Sequence, residues 1–119
     1  MPPNDSRIRV KRVDNVTQVE FIDRNILDEA NIQVIGQEVA SLVDAEPNPR
    51  LVISFSGVEH LSSAALGTLI AINTQVRNRS GQLRLANIDQ QIYEVFTITR
   101  LNKLFSIHPS IDDAMKSFK

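Results

Sequence analysis

A chain of 119 residues, 42% hydrophobic and 23% charged, has the length of one domain and the composition of a folded globular protein, which excludes disorder over most of its length. The formal net charge of -1, from 13 basic and 14 acidic residues spread along the sequence, supplies no global field for nucleic acid or anionic lipid. Cysteine is absent, which rules out disulfides, thiolate metal sites and a thiol nucleophile, and agrees with a cytoplasmic setting.

The start, Met1 to Ser6, is polar and lacks the apolar core of a signal peptide. The longest apolar run, Ala64 to Ile72, is broken by Gly67 and Thr68. We therefore expect a soluble protein with no membrane insertion, one domain over 1–119 with residues 1–6 flexible. Ile8, Val10 and Arg12 alternate with Arg9 and Lys11, and Val16, Val19 and Phe21 follow beyond Asp14-Asn15. That period predicts a hairpin of two half-buried strands. From Asp28, a candidate N-cap, the spacing of Ile32, Ile35, Val39 and Leu42 is helical, and Pro47-Asn48-Pro49 stops it. "RLVISF", Arg50 to Phe55, reads as a central strand buried on both faces. Helical spacing returns over Ser63 to Arg79 through Leu66, Leu69, Ile70 and Val76, and Ser80-Gly81 closes it. Leu83 and Leu85 mark the next strand. Asp89 caps a helix over Gln90 to Ile98 with Ile92, Val95 and Phe96 inward, and Leu104, Phe105 and Ile107 form a short last strand. Pro109 to Asp113 then opens a helix carrying Ala114, Met115 and Phe118 on one side. The order β-β-α-β-α-β-α-β-α predicts an α/β domain, a mixed and mostly parallel sheet of four to five strands with about four helices. Loops at the carboxyl ends of such strands tend to carry function, and "EHLSSAALGTL", Glu59 to Leu69, follows the central strand.

Catalytic chemistry finds little support. His60 and His108 stand far apart with no cysteine near either, so neither belongs to a local metal-ligand pattern. Leu61 occupies the place of the first glycine that a nucleophile elbow around Ser63 needs. With four glycines in all and no glycine-rich phosphate loop, nucleotide binding of that kind is not expected. Asp28-Glu29 and Asp112-Asp113 fall at helix starts, where the helix dipole accounts for them. We expect no enzyme, no metal and no cofactor. Ser62 and Ser63 themselves sit where a hydroxyl caps a helix.

Three stretches change the weight of those serines. "HLSSAALGTLI" resembles the phosphorylation-site motif of the STAS domain, in particular of bacterial anti-sigma factor antagonists, an acidic residue, Ser, Ser/Thr, Gly, Leu and Gly before an apolar helix. Aligned on Leu66-Gly67, Ser63 takes the place of the phosphorylated serine. "RLANIDQQIYEVFTITRLNKLFSIHPSIDDAM" is similar to the family's strand, helix and ending, through Thr99-Arg100-Leu101 and Leu104-Phe105-Ser106-Ile107. Leu27-Asp28-Glu29-Ala30 matches the family's opening of the first helix more weakly. The resemblance runs from about Ile8 to Phe118. Ser62 replaces the acidic residue, Ala64 and Ala65 replace the second hydroxyl and the glycine, and Arg100 stands where glycine is usual.

The resemblance implies an anti-sigma factor antagonist, with Ser63 as phosphate acceptor and Asp28, Ser62, Ser63, Ala64, Ala65 and Gly67 as partner surface. It implies as partner an anti-sigma factor with a histidine-kinase-like ATPase fold that is also the serine kinase, and a serine phosphatase that reverses the mark. ATP and magnesium would belong to the kinase. Two other readings stand beside it: an unphosphorylated adaptor or scaffold in a signalling or lipid-transport complex, and a small hydrolase using Ser63 with His60.

Overall fold

The computed structural model describes residues 8–22, 25–26 and 29–118. The chain runs β1 (Ile8–Val13), β2 (Val16–Phe21), β3 (Asn25–Ile26), α1 (Glu29–Asp44), β4 (Arg50–Ser54), β5 (His60–Leu61) and α2 (Ser63–Asn78). It continues through β6 (Gln82–Ala86), α3 (Gln90–Ile98), one 3-10 turn (Leu101–Lys103), β7 (Ser106–His108) and α4 (Ile111–Lys116). The expected alternation holds, with two strands of two residues added. Five strands form one mixed sheet in the order β1-β2-β4-β6-β7, antiparallel between β1 and β2 and parallel elsewhere. β3 and β5 pair separately, in parallel.

Local chemistry accounts for the elements. Asp14 and Asn15 both take left-handed backbone (φ 52° and 66°), as a two-residue hairpin turn requires, and this sets the Val13 to Val16 register. β4 is the middle strand, and Leu51, Val52, Ile53 and Ser54 are all buried, as its unbroken apolar run predicts. Leu51 and Ile53 join Val19, Leu83 and Leu85 in the large core under the helices. Val52 points the other way, to Val16, Ala86 and Ala114 beneath α4. A file of rings crosses the large core, Phe21 to Phe55 at 5.2 Å, Phe55 to Phe96 at 6.5 Å and Phe96 to Phe105 at 5.8 Å between centroids. The edge-to-face pairs suit the ring quadrupoles.

α4 is fastened to the sheet by Arg84, whose Nε donates to Ser117 Oγ at 2.7 Å and whose guanidinium lies 4.8 Å from the Phe118 ring centroid. Burial lowers the pKa of this guanidinium. Arg12 pairs with Glu46. α2 ends in a Schellman arrangement. Ser80 is left-handed at φ 58°, its N–H donates to the Arg77 carbonyl at 3.0 Å, and the Gly81 N–H donates to the Val76 carbonyl at 2.9 Å. Gly81 is required there because a side-chain carbon would collide with the Pro49 carbonyl.

Several helical faces turn differently from the sequence expectation. Ile70 is exposed, and Ile72 with Asn73 takes its inward place. Val95 is exposed while Ile92 and Phe96 are buried. In α1 the inward residue is Val43, and Leu42 is only half-buried. Val10 is 46% exposed because β1 is an edge strand. The last strand starts at Ser106, after Leu104 and Phe105. The expected flexibility of residues 1–6 and the Asp28 cap lie outside the described residues.

Candidate functional site

After β4 the chain makes a tight loop. The Phe55 N–H donates to the Ala86 carbonyl and the Val58 N–H to the Phe55 carbonyl, each at 2.9 Å, and Gly57 is left-handed at φ 83°. The buried Ser54 Oγ accepts from Ser56 N at 3.3 Å and from Asn87 Nδ2 at 3.0 Å, which ties this loop to the one after β6. His60 and Leu61 then pair with Asn25 and Ile26. The short ladder delivers the chain to the start of α2.

Ser62 and Ser63 have different positions and different tasks. Ser62 is the N-cap, extended at φ -86° and ψ 167°, and its Oγ accepts from Ala65 N at 3.2 Å. The Leu66 N–H donates to the Ser62 carbonyl at 3.1 Å. Ser63 is the first helical residue and is exposed, and its hydroxyl has no partner among the described residues. No carboxylate lies in the first turn of α2. The backbone N–H groups of that turn and the helix dipole make it a favourable place for an anion.

Ala64 and Gly67 are exposed beside Ser63, whereas Ala65 is 5% exposed and faces inward. Its place in the expected partner surface is thereby corrected. Ala65 shares the inward face of α2 with Leu69 and Ile72, and lines a narrow apolar pocket with Phe21, Ile35 and Leu61. Gly67 is exposed in mid-helix, with nothing within 4 Å of where a side-chain carbon would sit. No intramolecular approach requires glycine there, although it costs about 1 kcal/mol relative to alanine in a helix. Asp28, also assigned to the surface, falls outside the described residues. His60 is exposed on β5 and no hydrogen bond joins it to Ser63, and the His108 ring is bonded to Ser106 Oγ at 2.9 Å instead. The serine–histidine pair of a hydrolase is therefore not assembled among the described residues. Nor do those residues include a His, Cys, Asp or Glu cluster able to hold a metal ion, or a helix long and apolar enough to cross a membrane.

A model of the STAS domain matches residues 7–114. The chain belongs to the STAS domain family. The resemblance seen in the sequence is borne out across the sheet and its helices. A Bordetella bronchiseptica protein named as an anti-sigma factor antagonist, BtrV, is 27% identical over 96 residues, covering 81% of this chain and 82% of that protein. The anti-sigma-B factor antagonist of Bacillus subtilis is 26% identical over 100 residues, covering 84% and 88%. In structure, an anti-sigma factor antagonist domain protein from Planctomyces limnophilus superposes with a TM-score of 0.84 at 18% identity, over 94% and 97% of the two chains. This STAS protein is thus a homologue of anti-sigma factor antagonists.

Arg100, in the place of the family's glycine, keeps left-handed backbone at φ 64°, at a cost of roughly 1 kcal/mol or more for a residue with a side chain.

Proposed function

We propose that this STAS protein is an anti-sigma factor antagonist switched by phosphorylation of Ser63. Unmodified, it binds an anti-sigma factor of histidine-kinase-like ATPase fold through Ser62, Ser63, Ala64 and Gly67, and so frees a sigma factor for transcription. The same partner acts as the serine kinase, and a serine phosphatase restores the unmodified form. The observation that carries this reading is the division of labour at the start of α2. Ser62 Oγ is engaged in capping, and the neighbouring Ser63 hydroxyl is exposed and has no partner among the described residues.

Phosphate adds about 1.5 to 2 negative charges and three acceptor oxygens. Within the domain, the α2 dipole and the N–H groups of its first turn tolerate them. Across an interface that has closed on small uncharged side chains, the same group must be desolvated or repelled. A loss of about 2.7 kcal/mol weakens binding about a hundredfold. The partner leaves and the fold stays.

Incubation with ATP and each kinase-type anti-sigma factor of the source organism, read by intact mass, tests the assignment. One phosphate is expected, absent in Ser63→Ala and present in Ser62→Ala. Labelling of Ser62 would overturn the choice of serine, and no labelling with any such kinase would favour the unphosphorylated scaffold.

A further inference from the structure

The five-stranded sheet ends in two unlike edges. β7 has three residues, Ser106 to His108, with Ile107 packed against the large core, and so short an edge offers little to a further strand. β1 has six, Ile8 to Val13, and no described strand lies beyond it. The hairpin turn decides what β1 presents outward. Asp14 and Asn15 are both left-handed, so Val13 and Val16 face each other as a pair that exchanges two backbone bonds. Alternation gives the same role to Lys11 with Gln18 and to Arg9 with Glu20. The N–H and C=O groups of Val10 and Arg12 therefore point away from β2, where none of the described strands pairs with them.

The two faces of this edge differ, because side chains alternate along a strand. On the helix side stands Val10, 46% exposed, and α1 forms a ledge beside it. One flank of α1 is buried against the sheet through Ile32, Ile35, Val39 and Val43. A second lies on α2, where a side-chain carbon on Gly36 would come within 3.1 Å of the Thr68 methyl and the Ala40 carbonyl accepts from Gln75 Nε2 at 3.2 Å. The remaining flank carries Val34, Glu38 and Leu42, one turn apart. The pairing of Arg12 with Glu46, just past the end of α1, brings that flank to β1. Val34 and Leu42 are only half-buried there. On the opposite face Arg9 and Lys11 are exposed. Glu20 stands across from Arg9, whereas Lys11 has the uncharged Gln18 across from it.

Charge on an outer strand ordinarily blocks pairing with a second copy, and it does so here. Antiparallel self-pairing about Val10 would set Arg9 against Lys11 on one face, and parallel self-pairing would set each cation against its own copy. The same cations favour a strand that brings carboxylates to those places. An amphipathic helix would cover Val10, Val34 and Leu42 but has no free backbone groups for Val10 and Arg12.

We infer that β1 is a docking edge for an extended segment of another protein, apolar on the face toward Val10, Val34 and Leu42 and acidic on the face toward Arg9 and Lys11. The segment adds a sixth strand to the sheet. Backbone bonds to Val10 and Arg12 supply the affinity, and the alternation of apolar and acidic side chains fixes the register. The site makes no use of Ser63 and stands whether or not that serine is a switch.

Amide exchange in the isotope-labelled full chain tests this, with a synthetic peptide of about eight alternating valines and glutamates as the probe. Bound peptide should slow exchange of the Val10 and Arg12 amides about tenfold or more, and leave those of Lys11 and Val13, already bonded to β2, unchanged. A peptide alternating valine and lysine should bind about fivefold or more weakly, the scale of reversed cross-strand charge pairs. Lys11→Glu should narrow that difference at an unchanged melting temperature, because the residue is exposed. Val10→Pro removes an outward donor that an edge strand can spare and should abolish binding of the valine–glutamate peptide. Failure of that peptide to bind at millimolar concentration, slowed exchange elsewhere in place of Val10 and Arg12, or equal binding of the two peptides would overturn the inference. Self-association of the chain that Val10→Pro removes would overturn it as well, by making a second copy the occupant.

Discussion

The start of α2 and the starts of the other helices solve the same problem differently. α3 is capped by a carboxylate, with Asp89 Oδ1 accepting from Gln91 N at 2.7 Å and Ile92 N at 3.2 Å. α4 has Ser110 as cap and Asp112 and Asp113 in its first turn, and α1 begins with Glu29. α2, as long as α1, has a neutral cap and no acid in its first turn. Each of the other three helices brings its own negative charge to its positive end. α2 leaves that place vacant and sets an exposed serine in it, so a phosphate there would supply what its neighbours already possess.

Substitutions can break or sharpen this contrast. Asp89→Ala should have the largest effect, a loss of about 1–2 kcal/mol of unfolding free energy, because two N–H groups and the α3 dipole lose a charged acceptor. Ser62→Ala should cost about 1 kcal/mol in the same denaturant titration, the usual magnitude for a neutral cap. Equal losses from Ser62→Ala and Ser63→Ala would erase the distinction between the serines. Arg100→Gly should raise stability by about 1 kcal/mol by relieving left-handed strain. Gly67→Ala should raise it by roughly 0.5–1 kcal/mol, while weakening the partner complex by the added methyl. A gain in stability with unchanged affinity would remove Gly67 from the docking surface. Ser63→Ala should be the smallest in stability, within about 0.5 kcal/mol, as for other exposed residues without partners.

The sequence announced some of these features through side chains with one strong local use. Asp89 and Ser110 precede helical periods and cap them, and the apolar Arg50 to Phe55 stretch became the middle strand. Where neighbouring residues are both apolar, hydrophobicity alone does not choose the inward one. Ile70 and Ile72 in α2 were exchanged for that reason, as were Leu42 and Val43 in α1. β3 and β5 are two residues each, too short to show any period, yet they aim the chain into Ser62. Ala65 looked like part of a small-residue surface beside Ser63, and only the phase of α2 turns it into the core. Arg100 shows the opposite case. Its left-handed turn is a demand of the fold, met in spite of the residue that stands there.

The most direct test compares the affinity of unmodified and Ser63-phosphorylated protein for the labelling anti-sigma factor by titration calorimetry, with thermal melts of both forms alongside. Binding should weaken about a hundredfold or more on phosphorylation, with a melting temperature equal to or above that of the unmodified protein. Equal affinity, or a loss of affinity accompanied by a fall in melting temperature, would contradict a switch that releases its partner without unfolding.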